Sequence, residues 1–332
     1  MKKKENQTVI DIRDLQIEFK TYAGALKVLN GVNLKVDRRE KIAIVGETGC
    51  GKTTTIKAIL KIFANNARIT GGAVLFNGKD VLKMNSNEVK VLRGGWASMI
   101  FQDPTMSLNP VFTIGQQMKE VVRYSEHPNA QDEKVQEELA IKALEETSMP
   151  DAKRIMDSYP FQLSGGMRQR VCIAMSLATP RDIVLADEPT TNLDVTIQDQ
   201  VLKILKERVE RKGSSLILIT HSLGVARETC TRINVMYAGN IVESAPSAEL
   251  FKKQYHPYTH ALLECIPKLT GGGVAAGISG QIPNYLKPPE GCRFCPRCPN
   301  AMPICKESKP ETVLIEEEHY VACHLYGGGA HE

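Results

Sequence analysis

No long apolar run occurs in this chain. Its longest uncharged stretch, residues 269–286, is broken by Gly271, Gly272, Gly273, Gly277, Gly280 and Pro283. A membrane-crossing helix needs about 20 consecutive apolar residues, so the stretch reads as a linker and membrane association must come through other subunits. Charge of one sign is scarce as well. A formal net charge of +4 over 332 residues leaves no basic stripe. That argues against a nucleic-acid partner, while suiting work beside an anionic membrane surface. Met1-Lys2-Lys3-Lys4 carries the charge of a signal peptide, but Glu5-Asn6-Gln7 follows where an apolar core is required. Secretion is therefore not expected. No internal repeat is visible, and the length suits one large domain with a smaller one.

Against these absences stand two glycine-rich motifs. Gly46-Glu47-Thr48-Gly49-Cys50-Gly51-Lys52-Thr53, followed by Thr54, fits the phosphate-binding pattern G-x-x-x-x-G-K-[ST]. It lies between an apolar strand at 41–45 and a helical pattern marked by Ile56, Ile59 and Leu60. Such glycines let successive backbone N–H groups turn toward a β-phosphate, helped by the dipole of the next helix. Lys52 supplies a point charge between β- and γ-phosphates, and the Thr53 hydroxyl can ligate Mg²⁺. The second motif is Leu163-Ser164-Gly165-Gly166-Met167-Arg168-Gln169-Arg170. It places a hydroxyl and bare backbone at a helix start, which makes a second anion site.

The surrounding pattern is α/β. Ile183-Val184-Leu185-Ala186 and Leu216-Ile217-Leu218-Ile219 read as buried parallel strands, with a crossover helix at 196–211 between them. Asp187 and Glu188 end the first of these strands, where α/β sheets bind ligands, and His221 follows the second. Alternation at 9–19 and 32–36, with turns at Asn30-Gly31 and Asn77-Gly78, predicts antiparallel strands. Residues 103–178 read as mainly helical. One amphipathic helix there, at 133–147, turns Val135, Leu139, Ile141, Ala143 and Leu144 inward. The character of the chain changes beyond 245, with a short helix near 249–254, so the expected domains are 1–245 and 246–332.

The Leu-Ser-Gly-Gly stretch resembles the signature of ABC-type ATPases. That resemblance implies a P-loop core with a RecA-like sheet, an antiparallel β-subdomain and a helical subdomain at about 103–178. It implies two ATPs sandwiched between the P-loop of one subunit and Ser164, Gly165 and Gly166 of another. By the same resemblance Asp187 holds Mg²⁺ and Glu188 is the general base for the attacking water. His221 contacts the γ-phosphate, and Gln102 meets Mg²⁺ and the water. Asp194, in Asn192-Leu193-Asp194, is the carboxylate at the subunit interface, although the family more often carries a small residue at 192. An aromatic ring should stack on adenine; Tyr22 is the choice and Phe19 the runner-up.

Three further stretches resemble one branch, the ATP-binding subunits of bacterial dipeptide/oligopeptide importers of the DppD/OppD type. They are the run from Phe101 through Gln102-Asp103-Pro104 to Asn109-Pro110 with Ile114-Gly115, the run His256-Pro257-Tyr258-Thr259 with Ala261-Leu262-Leu263, and a C-terminal cysteine pattern. Nickel importers are close relatives and the alternative. The resemblance implies a second ATPase subunit, two membrane permeases and an extracytoplasmic peptide-binding protein, with this chain on the cytoplasmic face of the membrane. A cytosolic ABC ATPase working on nucleic acid or ribosomes calls for a coiled-coil insertion, a second ATPase domain or a basic stripe. A module that binds nucleotide without turnover calls for loss of Glu188 or Lys52. Neither pattern is present.

Nine cysteines complete the inventory. Cys50, Cys172, Cys230 and Cys265 are scattered and read as small buried residues. Cys292, Cys295, Cys298, Cys305 and Cys323 fall within 32 residues, and in a chain without a signal peptide metal binding is the better reading than disulfides. Cys292, Cys295 and Cys298, with Pro299 next, share the spacing of bacterial ferredoxins. The family's pattern instead implies Cys292, Cys298, Cys305 and Cys323 as ligands of a [4Fe–4S] cluster, leaving Cys295 spare. A structural Zn²⁺ site is the alternative.

Overall fold

The computed structural model describes residues 8–191, 193–265 and 277–327. The chain crosses repeatedly between two compact units. One contains Val36–Glu40 and Lys83–Ile219; the other contains Ile10–Lys35, Lys41–Leu82 and the chain from Thr220 onward. In chain order the strands are β1 (Thr8–Thr21), β2 (Gly24–Asp37), β3 (Lys41–Val45), β4 (Ala67–Phe76), β5 (Lys79–Asp80) and β6 (Ala97–Ile100). There follow β7 (Ile183–Asp187), β8 (Ser215–Ile219), β9 (Arg232–Tyr237), β10 (Asn240–Pro246), β11 (Thr312–Glu316) and β12 (His319–Ala322).

In the first unit β6, β7 and β8 run parallel, with Ala97 beside Ile183 and Ile183 beside Ser215. β7 and β8 are buried along their whole length, so alternation is absent and the apolar runs are continuous. The crossover helix Val195–Lys212 begins where the Asp194 carboxylate accepts the Ile197 N–H at 3.0 Å, and it ends on Gly213 at φ 68°. The helix Glu133–Glu146 buries Ala140, Ala143 and Leu144. The expected inward residues Val135, Leu139 and Ile141 are only half-buried. Gln136 takes a core position instead, because its amide donates to the Ala130 carbonyl at 2.8 Å. A satisfied amide can lie where an apolar side chain is expected.

In the second unit one antiparallel sheet has the order β2-β1-β4-β5. β1 is a single strand that kinks between Arg13 and Ile17, beside Asp14 at φ 44°. A second set of strands has the order β11-β12-β10-β9-β3. β3 and β9 are parallel, with Ile42 beside Arg232. The boundary expected at 245 falls inside β10, and β12 pairs onto that strand with Val321 beside Glu243. Glu243 anchors the junction. Its fully buried carboxylate accepts the Tyr255 and His256 N–H groups at 2.8 and 3.0 Å and bonds His319 Nε2 at 2.7 Å. Burial pushes the His256 imidazole down to about 3, so it stays neutral and its Nδ1 accepts the Tyr258 N–H at 3.0 Å. Among the described residues no helix is long and apolar enough to cross a membrane.

Candidate active site

β3 delivers the chain into the glycine-rich loop of the second unit. Gly46 stands at φ 152°, and a Cβ there would lie 2.1 Å from the Met236 carbonyl of β9. Gly51, at φ 109°, starts the helix Lys52–Ile59. A side chain at Gly46 would collide with backbone that cannot move away, whereas at Gly51 the positive φ itself is what favours glycine. Lys52 is buried, and its Nζ donates to the Gly46 and Glu47 carbonyls at 2.8 and 3.1 Å. Thr53 and Thr54 are half-buried at the helix start, and Thr48 and Gly49 are exposed. Burial pushes the Cys50 thiol up, so this residue is a small neutral filler under the loop. Tyr22 is fully exposed on the β1–β2 turn, whereas Phe19 is half-buried. His221 is exposed two residues beyond β8.

The first unit holds the carboxylates. Asp187 and Glu188 are buried at the end of β7. Glu188 adopts φ 46°, and its N–H donates to the Ile219 carbonyl at 3.0 Å. Its Oε2 accepts from Gln102 Nε2 at 2.9 Å and from Thr191 Oγ1 at 3.2 Å. These bonds fix the direction in which the carboxylate points. A cleft lined by Gln102, Thr105, Gly165, Gln169, Thr191 and Leu193 brings the start of the signature helix into the same neighbourhood. Ser164 caps that helix, Gly165–Leu177, by accepting the Met167 N–H at 3.3 Å. Its hydroxyl proton is not used in that bond. A Cβ on Gly166 would meet Ile197 at 2.8 Å, so the second glycine of the motif also permits close helix packing. Asp194 is exposed and spends one oxygen on its cap. Asn192 lies outside the described residues.

Residues 29–191 match the ABC transporter family, and residues 242–305 match the C-terminal region of oligopeptide/dipeptide transporters. A probable peptide ABC transporter ATP-binding protein of Sinorhizobium fredii is 41% identical over 95% of this chain and 94% of its own length. The dipeptide transport ATP-binding protein DppD of Bacillus subtilis is 39% identical over 96% of this chain and 95% of its own length. The chain belongs to the ATP-binding proteins of peptide ABC transporters. It is an ABC-type ATPase with the α/β cassette fold. A dimeric ATP-binding cassette in a post-hydrolysis state with ADP and Pi superposes with a TM-score of 0.64, at 25% identity, over 72% of this chain and 98% of that one.

The expected site residues of this ATPase divide between its units. Gln102, Ser164, Gly165, Gly166, Asp187, Glu188 and Asp194 belong to one; the phosphate loop, Tyr22, His221 and the C-terminal cysteines belong to the other. Thr191, three residues beyond the expected base, was not singled out in the sequence, although that spacing is the available signal. Among the cysteines, the Cys292 N–H donates to the Cys305 carbonyl at 2.8 Å and the Met302 N–H points to Cys305 Sγ at 3.5 Å. Burial pushes the Cys292 thiol up to about 11, and neighbouring Cys305 and Cys323 add to the rise. Burial also raises Cys323, with Cys298 and Cys305 adding to it. Among the described residues, however, no three His, Cys, Asp or Glu side chains are arranged as metal ligands.

Proposed function

We propose that this ABC ATPase powers the import of dipeptides or oligopeptides, hydrolysing two ATPs held between the P-loop of one subunit and the signature of another. The observation that carries the hydrolytic part is the Glu188 carboxylate, aimed by Gln102 and Thr191. A buried, oriented carboxylate is what a general base for the attacking water requires. Lys52 and the loop N–H groups bind the phosphates, and Thr53 and Asp187, with Gln102, hold Mg²⁺. Ser164, Gly165 and Gly166 cover the γ-phosphate of the opposite subunit, His221 senses it, and Asp194 lies along the subunit interface. Tyr22, whose ring is fully accessible, stacks on adenine, with Phe19 as the second choice. The peptide part rests on the match of residues 242–305 and on relatives named for peptide transport. Nickel import remains the alternative substrate class.

The partners are a second ATPase subunit, two permeases and an extracytoplasmic peptide-binding protein, with this chain on the cytoplasmic face of the membrane. Exposed Val111 and Phe112, with exposed Met106 just before the stretch, support residues 107–117 as the surface that meets a permease. Tagged protein drawn from membranes should bring two permeases and a second ATPase with it. V111S/F112S should abolish peptide uptake while leaving ATP affinity within about twofold. Co-purification with ribosomes, or an equal loss of nucleotide binding, would refute this assignment.

We infer further that Cys292, Cys298, Cys305 and Cys323 hold a [4Fe–4S] cluster, with Cys295 spare. What supports this reading is the family's cysteine pattern, the bond from the Cys292 N–H to the Cys305 carbonyl and the Met302 N–H aimed at Cys305 Sγ. The described side chains themselves are not arranged as metal ligands. The cluster supplies a structural staple for a proline-rich segment, and no redox step is assigned to it. Anaerobically purified protein should be brown, with iron and acid-labile sulfide, and C298S should lose the colour. Colourless protein with stoichiometric zinc would decide for a structural Zn²⁺ site.

A further inference from the structure

Glu47 is a variable position of the phosphate loop, and its carboxylate is held from far along the chain. Arg297, in the 3₁₀ turn Cys295–Arg297, grips it with two parallel bonds, Nη1 to Oε2 at 2.7 Å and Nη2 to Oε1 at 3.1 Å. The Arg297 side chain is 4% exposed. Its other N–H groups donate to the Ser279 and Ile278 carbonyls, both at 2.9 Å, so the guanidinium has one orientation. Two tyrosines hold the same loop. The Glu47 N–H donates to Tyr258 Oη at 3.0 Å, and the Tyr285 hydroxyl donates to the Gly49 carbonyl at 3.0 Å. Three side chains from three separate places beyond residue 250 therefore converge on one phosphate-binding loop.

The loop attracts a triphosphate through N–H dipoles and Lys52. A bare carboxylate among those groups would oppose that attraction, and at partial burial the repulsion is poorly screened. A bidentate arginine cancels the charge and fixes its direction. We propose that Arg297 is a positioning residue for nucleotide: it neutralises Glu47 and, with Tyr258 and Tyr285, sets the shape of the phosphate loop. The C-terminal segment is thereby part of the nucleotide-binding apparatus. This holds whatever the thiols on either side of Arg297 carry, so the failure of the cluster assignment leaves it standing.

The test is the equilibrium affinity of the full-length protein for ATP–Mg²⁺ in four variants. R297Q, whose one amide group can replace the donor to Ser279 but which loses the charge and the donor to Ile278, should raise Kd about tenfold. R297K should recover part of that loss. E47Q, which leaves the buried Arg297 charge without its carboxylate, should itself weaken binding, and E47Q/R297Q should bind at least about threefold more tightly than R297Q, because no carboxylate is left to mask. A purely structural role for Arg297 would leave the double variant as weak as R297Q, and that result overturns the proposal. Unchanged affinity in R297Q overturns it as well. If R297Q does not fold, the charge swap E47K/R297E restores the pair; binding no better than a phosphate-loop knockout in a folded swap counts against the masking role.

Discussion

Replacing Glu188 by Gln should leave ATP binding intact and lower steady-state hydrolysis by about 10²–10³-fold, corresponding to about 3–4 kcal/mol of transition-state stabilisation. The substitution preserves volume and can keep the partners of the native carboxylate, Gln102 and Thr191. The change is therefore confined to the ability to take a proton from water. The backbone at φ 46° is a conformation that Gln, like Glu, has to be held in by its surroundings, and the bond from the Glu188 N–H to Ile219 is unaffected by the side chain. A second readout separates loss of chemistry from loss of assembly. With hydrolysis stopped, E188Q should accumulate as a nucleotide-bound dimer on sizing in ATP–Mg²⁺, whereas the parent protein should dissociate as ATP is consumed. Near-parental turnover in purified E188Q would remove Glu188 from the role of base.

The largest stability loss should come from Glu243→Ala. Its carboxylate is fully buried and receives two backbone N–H groups and a histidine ring nitrogen. Truncation leaves Tyr255, His256 and His319 with buried donors that have lost their acceptor, and it opens a cavity between β10 and β12. Breaking a buried polar network of this kind costs about 3–5 kcal/mol. E243Q retains an acceptor oxygen and should lose less. Urea unfolding would measure both, and limited proteolysis should cut E243A first beyond residue 250, where the C-terminal strands depend on this anchor. A loss below about 1 kcal/mol for E243A would show that the junction is held by the β10–β12 ladder alone.

Much of the candidate nucleotide site was legible in the sequence because each of its parts is contiguous. The glycine-rich loop has glycine at Gly46, where a Cβ would strike the Met236 carbonyl, and at Gly51, where φ is 109°. Asp187 and Glu188 end an apolar strand, and Ser164 starts a helix; each of these signals spans fewer than ten residues. The apolar runs of β7 and β8 likewise declared themselves, since strands buried on both faces have no polar positions to interrupt them. The same local reasoning failed where a distant acceptor changed the balance, as at Gln136, whose satisfied amide displaced the expected apolar face.

What the tertiary structure alone decided is the joining of segments that are remote in the chain. Nothing near Glu47 announces Arg297, which is 250 residues away. Nothing near Glu243 announces His319, which closes onto it from a strand 76 residues later. A boundary at 245 follows from composition, yet β12 returns to pair with β10 across that point. Local propensity and periodicity report on neighbours within a turn or a strand, where few conformations compete. The partner of a buried charge is chosen by chain topology after loop closure has been achieved, and the free energy of desolvating that charge then selects the contact from the whole molecule.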